Sequence, residues 1–272
     1  DAICNSGIDV IDIGIIPTPV QYFSMLHLKV DAGVMITASH NPAEFNGFKL
    51  TMNNAPVYGE AIQKLLQIIT NNDFINGRGR GSYEKTGVID HYIEYIKSNI
   101  KIERPMKVVL DSGNGAASLV VHRLYKELGI ATIDLFDTPD GTFPNHHPDP
   151  TVIDNIHELI KTVKENKADV GFGYDGDGDR IGVVDENGEI IWGDRLLIIF
   201  AREIIKEHPG ASIIFEVKCS QALPEMIEKF GGKPIMWKTG HSLIKKKMKE
   251  TNAPLAGEMS GHLFFADRYL GF

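Results

Sequence analysis

Three carboxylates at alternate positions, Asp175-Gly-Asp177-Gly-Asp179-Arg180, carry the strongest chemical signal in the chain. Alternate residues of an extended turn face the same way, and the two glycines let the backbone wrap closely around an ion. Hard carboxylate oxygens suit Mg2+, which prefers octahedral oxygen ligation and completes its shell with water or phosphate. The spacing therefore predicts a magnesium site at Asp175, Asp177 and Asp179, with positions open to a phosphorylated partner. A calcium loop of EF-hand type is the rival, since Glu186 stands twelfth from Asp175. That rival fails because Arg180 replaces the glycine required at the sixth position and the flanks DVGFGY and IGVVDENGEII are strand-like.

A second element, Thr37-Ala38-Ser39-His40-Asn41-Pro42, follows the apolar run VMIT. Pro42 keeps Asn41 out of helical geometry, so Ser39 is displayed on a rigid turn. Alone this reads as an ordinary ST turn, and sequence neighbours such as Ser39 and His40 need not meet as nucleophile and base. Beside a magnesium loop the same hydroxyl can carry a phosphoryl group. Gly257-Glu258-Met259-Ser260-Gly261-His262 pairs an acceptor carboxylate with a two-way hydroxyl, a combination that suits vicinal sugar hydroxyls. Lys218 in EVKCS, and Lys238 and His241 at the start of a helix, add cations where a helix N-terminus attracts anions. Each of these alone reads equally as ordinary structure.

Other features are assigned to structure. Asp111-Ser-Gly-Asn-Gly115 lacks the third glycine of a dinucleotide fingerprint and reads as a tight strand-to-helix turn. Lys245 to Lys247 reads as a solvated helix face, and His146-His147 as a turn, not a pair of metal ligands. Trp192, Trp237 and the LFF aromatics read as packing residues.

The elements that must position these groups alternate between short β-branched runs and helical spacing, which predicts an α/β fold. VMIT reads as a buried strand, and residues 60–70 as a helix with Ile62, Leu65, Leu66 and Ile69 on one face. Residues 76–87 read as a surface loop. A βαβ unit follows: helix 88–100, strand 107–112, helix 116–129 and strand 131–136. A Pro- and Asp-rich loop, helix 152–166 and strand 169–174 lead into the acidic loop. A third unit has helices at 194–207, 222–230 and 242–250 and strands at 212–217, 234–237 and 254–260. Each unit sets an unusual loop near a strand's C-terminal end, where open α/β sheets bind ligands.

Composition limits the partners. The 272 residues contain 43% hydrophobic residues, enough for real cores, and no apolar run approaches the roughly 18 residues of a membrane span. A net charge of -8 gives no basic field for nucleic acid, so the partner should be small. Cys4 and Cys219 lie far apart, pointing to a reducing compartment, the cytoplasm by default. No feature fixes an oligomeric state. The chain opens on Asp1 rather than Met and ends on Phe272 in an apolar run, so both ends read as cut.

Taken in order, TASHNP, DGDGDR, the GHS element and GEMSGH, with FNGFK (Phe45 to Lys49) and FPNHHPDP (Phe143 to Pro150), resemble the α-D-phosphohexomutases, closest to the bacterial phosphomannomutase/phosphoglucomutase branch. The resemblance implies consecutive three-layer α/β/α domains with mixed, mostly parallel sheets, at 1–88 (phosphoserine loop), 89–190 (metal loop) and 191–272 (sugar-binding loop). It implies that Ser39 is phosphorylated and, with Asp175, Asp177 and Asp179, holds Mg2+. Arg180 would sit beside them. Glu258 and Ser260 would bind sugar hydroxyls, Lys218 and His241 would face the hexose phosphate, and His40 or Lys49 would assist proton transfer near Ser39. The implied reaction interconverts hexose 1-phosphate and hexose 6-phosphate, of mannose and/or glucose, through a bound 1,6-bisphosphate, with glucose 1,6-bisphosphate as activator. The family's opening strand and its fourth, phosphate-gripping domain have no counterpart here, so the fragment is expected to bind Mg2+ but turn over poorly. Three alternatives stay open: a phosphoglucosamine mutase, which would normally carry Gln at Met259, a phosphatase, and a noncatalytic phosphosugar-binding module.

Overall fold

The computed structural model describes residues 1–42, 44–74 and 79–268. The first region runs α1 (Ala2–Asn5), β1 (Val10–Asp12), α2 (Thr18–His27), β2 (Ala32–Ile36), β3 (Phe48–Met52), β4 (Ala55–Pro56), α3 (Glu60–Thr70) and β5 (Tyr83–Lys85). Helix α2 begins after the extended Pro17 with a second proline in its first turn, where a missing N–H costs nothing. Val20, Tyr22, Phe23 and Met25 are all buried on it, Val20 in a cluster with Val88, Ile93, Val120 and Leu124 that joins this region to the next.

Two expectations are corrected here. VMIT forms a strand, but not a buried one: β2 pairs antiparallel with β3, leaving Val34 46% and Ile36 64% exposed. The helix expected over 60–70 forms as α3, with none of its residues buried and Ile69 61% exposed. The loop expected over 76–87 contains β5, which pairs in parallel with β1. Its sequence YEK has no apolar pattern, so only the partner strand defines it. Residues 76–78 of that loop lie outside the described residues.

The second region runs α4 (Ile89–Asn99), β6 (Lys107–Asp111), a 3-10 turn over Ala116–Leu119, α5 (Val121–Glu127), β7 (Ala131–Leu135), α6 (His157–Asn166), β8 (Val170–Tyr174), β9 (Ile181–Asp185) and β10 (Ile190–Ile191). Its sheet order is β10-β9-β8-β6-β7, with β6 parallel to both neighbours and β9 antiparallel. Val108, Val109 and Leu110 are successive and all buried, as a strand covered on both faces demands. Val109 packs with Leu159 and Val163 of α6, while Val108 and Leu110 pack with Ala117 and Val121.

The third region runs α7 (Gly193–Glu207), β11 (Ser212–Glu216), α8 (Ala222–Lys229), β12 (Lys233–Trp237), α9 (His241–Thr251), β13 (Leu255–Gly257) and β14 (Leu263–Phe265). Its order is β12-β11-β13-β14, parallel except for β14. Ile213 and Phe215 face α7 and α8, and Ile214 faces Ile244 and Met248 of α9. No helix among the described residues is long and apolar enough to cross a membrane.

The solvated face expected for Lys245 to Lys247 is also corrected. Lys246 remains in water, with a side chain 61% exposed, but Lys247 lies 4.2 Å from the Trp237 ring centroid and Lys245 is 3% exposed. The cause is tertiary: α9 is covered by its own sheet on one side and by the first region on another.

Candidate active site

The acidic loop leaves β8 at Asp175 and folds around that carboxylate, whose Oδ1 accepts the N–H groups of Asp179 at 3.0 Å and Arg180 at 3.1 Å. One oxygen each from Asp175, Asp177 and Asp179 lies within 4.8 Å of the others. Thr18 Oγ1 donates to Asp177 Oδ2 at 2.8 Å, while Asp177 Oδ1 is buried without a hydrogen-bond partner. Lys49 Nζ sits 2.6 Å from both Asp177 and Asp179.

Burial, then repulsion from Asp179 and Asp177, pushes the Asp175 carboxyl up to about 7. Burial also opposes the charge on Asp179, but hydrogen bonding and attraction from His262 and Lys49 hold its carboxyl well below the usual range. The same two carboxylates outweigh burial at Lys49 and raise it, keeping it an ammonium. Three clustered hard oxygens, one raised by burial and by its acidic neighbours, and a buried oxygen with no partner fit a small divalent cation. Asp175, Asp177 and Asp179 would hold it.

Ser39 follows β2 with a φ of 56°, a left-handed conformation uncommon outside glycine. Its N–H donates to Thr37 Oγ1 at 2.8 Å, and its hydroxyl donates to Asp175 Oδ2 at 2.9 Å. In this conformation the neighbours Ser39 and His40 do meet, Oγ to Nδ1 at 3.1 Å. A Cβ at Gly176 would fall 2.2 Å from the Ser39 carbonyl oxygen, so a glycine there lets the serine and acidic loops touch. Arg180 Nη1 lies 3.4 Å from His40 Nε2. Burial and the Arg180 charge lower the His40 pKa, favouring a neutral imidazole that can accept a proton.

Glu258 and Ser260 enter from the β13 end. Glu258 is 3% exposed and accepts from Gly240 N at 2.8 Å, while its Oε2 lies 2.6 Å from His262 Nδ1 and 3.3 Å from Ser260 Oγ. His262 Nε2 lies 3.1 Å from Asp179 Oδ1, so this imidazole joins the sugar-type loop to the acidic loop. Burial opposes its charge, but Asp179 and Glu258 outweigh it and raise its pKa to about 9. His241, its ring centroid 6.2 Å from that of His262, is pushed the other way to about 4 by burial and then Lys245. Burial likewise lowers Lys245, to about 7. Lys218 stands at the margin, 55% exposed and 3.8 Å from Glu216.

Three participants were not singled out from sequence. His262 closes the GEMSGH motif, but its role depends on Asp179, 83 residues away. Thr18 has no local chemical signature. Glu216 is fully buried and accepts from Lys218 N, Thr239 Oγ1 and Met259 N, so one carboxylate gathers three loops. An acid ending the apolar strand SIIFE was the available signal, since such groups stay buried only when paired.

The HH turn also does more than turn the chain. His146 Nε2 sits 3.1 and 3.2 Å from the two oxygens of buried Asp111, pinning the 137–150 loop to the end of β6. Burial lowers the His146 pKa, but the Asp111 hydrogen bond and charge outweigh it and the net shift is upward. A raised folded-state pKa contributes stability that is present below the ordinary value of 6.5 and lost as pH rises through the folded value. His146→Phe should therefore cost roughly 1.5–3 kcal/mol at pH 6 and less at pH 8, as urea unfolding at the two pH values will show.

Family models for the phosphoglucomutase/phosphomannomutase α/β/α domains I, II and III match residues 1–76, 90–188 and 192–271. A phosphomannomutase/phosphoglucomutase of Pseudomonas aeruginosa is 49% identical over 268 residues, covering 98% of this chain and 58% of the relative. A phosphoglucomutase of Neisseria meningitidis is 45% identical over the same shares. A solved phosphoglucomutase/phosphomannomutase family protein of Burkholderia thailandensis superposes with a TM-score of 0.95 at 48% identity, covering all of this chain and 61% of that one. The chain thus spans less than two thirds of these relatives. With three consecutive domain models matched in order and the acidic, serine and GEMSGH loops gathered at one place, the chain belongs to the α-D-phosphohexomutase superfamily.

Proposed function

We propose that this chain carries the phosphoryl-transfer centre of a hexose phosphate mutase, interconverting hexose 1-phosphate and hexose 6-phosphate of mannose and/or glucose through phosphorylated Ser39 and a bound 1,6-bisphosphate. The observation that carries the reading is the Ser39 hydroxyl on Asp175 Oδ2 at 2.9 Å, at the edge of the acidic cluster. Phosphoryl transfer is mainly positioning and charge neutralisation, so a serine held at a cation-binding loop has what the reaction needs. Mg2+ bound at Asp175, Asp177 and Asp179 would neutralise charge developing on the transferring oxygens.

The chain's own groups have separable tasks. The left-handed turn holds Ser39 toward the acidic loop. His40, neutral and 3.1 Å from Ser39 Oγ, is placed to move a proton at that oxygen. Lys49 is held as an ammonium and so supplies charge rather than acting as a base in this state. Arg180 adds positive charge beside His40 for a phosphate. Glu258 and Ser260 would exchange their mutual contact for sugar hydroxyls, and neutral His241 would accept a hydrogen bond. Lys218, the most exposed of the group, would meet the substrate at the rim.

Met259 favours hexose phosphates over the phosphoglucosamine reading. The free cysteines Cys4 and Cys219 suit a cytoplasmic enzyme.

Mass spectrometry of the Ser39 peptide after incubation with glucose 1,6-bisphosphate and Mg2+ tests the reading. Phosphate on Ser39 that leaves on adding glucose 1-phosphate or mannose 1-phosphate is expected, with none on Ser39→Ala. Inorganic phosphate as the sole product would favour a phosphatase, and saturable sugar phosphate binding without transfer a binding module.

A further inference from the structure

Among the described residues, one buried amine has been given no task, that of Lys245. Lys245 Nζ lies 3.8 Å from the ring centroid of Tyr22 and 5.7 Å from that of Phe264. Both Lys245 and Tyr22 are nearly closed to solvent, at 3% and 9% exposure. Lysine is rarely buried this deeply, and an ammonium over an aromatic face gains more attraction once water is excluded.

The contact joins two distant parts of the chain at a significant place. On α2, Tyr22 stands one turn beyond Thr18, whose hydroxyl and backbone N–H both bond to Asp177 at 2.8 Å. On α9, Lys245 stands one turn beyond His241, beside His262. Residues four apart share a helix face, so on both helices the contact lies directly behind a group of the site. Lys249, a further turn along α9, donates to the Asn54 carbonyl at 2.8 Å in the β3–β4 turn. Two lysines of one helix face thus reach the first region.

We propose that Lys245 is a positioning residue for the phosphosugar reaction: its Nζ, seated on the Tyr22 ring, locks the region bearing the Glu258–His262 loop onto the region bearing Ser39, most firmly when it is protonated. The role in substrate binding rests on the function proposed above, whereas the lock itself does not. A hexose bisphosphate must touch both loops at once, so loosening the lock weakens its binding; because Lys245 also lowers the His241 pKa, exchange measured without sugar separates the lock from that charge effect.

The test compares wild type with K245M, which keeps the apolar stem but removes the charge, and K245R, which restores a cation able to stack on a ring. Calorimetric titration with glucose 1,6-bisphosphate in saturating Mg2+ should show K245M binding weaker on the order of tenfold, with K245R within about threefold of wild type. Amide hydrogen exchange, measured without sugar, should speed up together over 18–27 and 241–251 in K245M and recover in K245R. If K245M does not fold, Y22L removes the ring from the other side and reads the same two quantities. Unchanged exchange and binding in K245M, or K245R behaving like K245M, would overturn the proposal. Wild type failing to bind the bisphosphate would instead sink the phosphosugar reading, leaving exchange alone to decide the lock.

Discussion

Replacing Lys49 with methionine should lower the stability of the metal-free protein by about 3 kcal/mol, or roughly 6–12 °C in melting temperature. Its ammonium lies 2.6 Å from both Asp177 and Asp179 and is only 19% exposed. Removing it leaves three acidic side chains in one buried pocket, opposed by His262 at Asp179 and Arg180 near Asp175. Breaking one side of a buried ion cluster costs far more than the net value of the cluster, because the remaining charges stay desolvated. Mg2+ should reverse much of the loss, since a ligand at a hundredfold its dissociation constant contributes about 2.7 kcal/mol. Scanning calorimetry with and without Mg2+ should show a larger metal-induced shift in Lys49→Met than in wild type. Equal shifts would mean that Lys49 and the cation do not share these carboxylates.

The second large effect is expected at Asp177. Asp177→Asn keeps the shape and can still accept from Thr18, but removes the charge that a hard cation requires. Changing an outer-shell partner typically costs tenfold to a hundredfold in metal affinity, so losing a ligand charge should weaken Mg2+ binding by about a hundredfold or more. Titration calorimetry measures this directly. Affinity within about threefold of wild type would place the cation elsewhere.

The contrast between what local sequence reveals and what it hides is clear at these residues. Asp175, Asp177 and Asp179 were legible because three carboxylates and two glycines act within one turn. The helices and strands of the second and third regions were legible because apolar runs meet covering helices nearby in the chain. Lys245 was misread because its cover, Tyr22, comes from 223 residues earlier in the chain. The α3 helix was legible from its periodicity, although its stripe stays exposed among the described residues. Strand β5 carries no burial pattern at all, and His262 gains its meaning only when two loops converge.

The contacts that build the centre also have a kinetic side. Thr18 meets Asp177 across 159 positions, Ser39 meets Asp175 across 136, and Lys49 meets Asp179 across 130. Most of the cores, by contrast, are assembled from nearer segments, the cluster that joins Ile16 and Val20 to Val88, Ile93, Val120 and Leu124 being the exception, and local contacts form fastest during folding. The centre is therefore a late product of folding, completed only when finished regions dock. For the same reason it should be the first part to open under mild denaturant, with cation affinity reporting on docking while the cores remain intact.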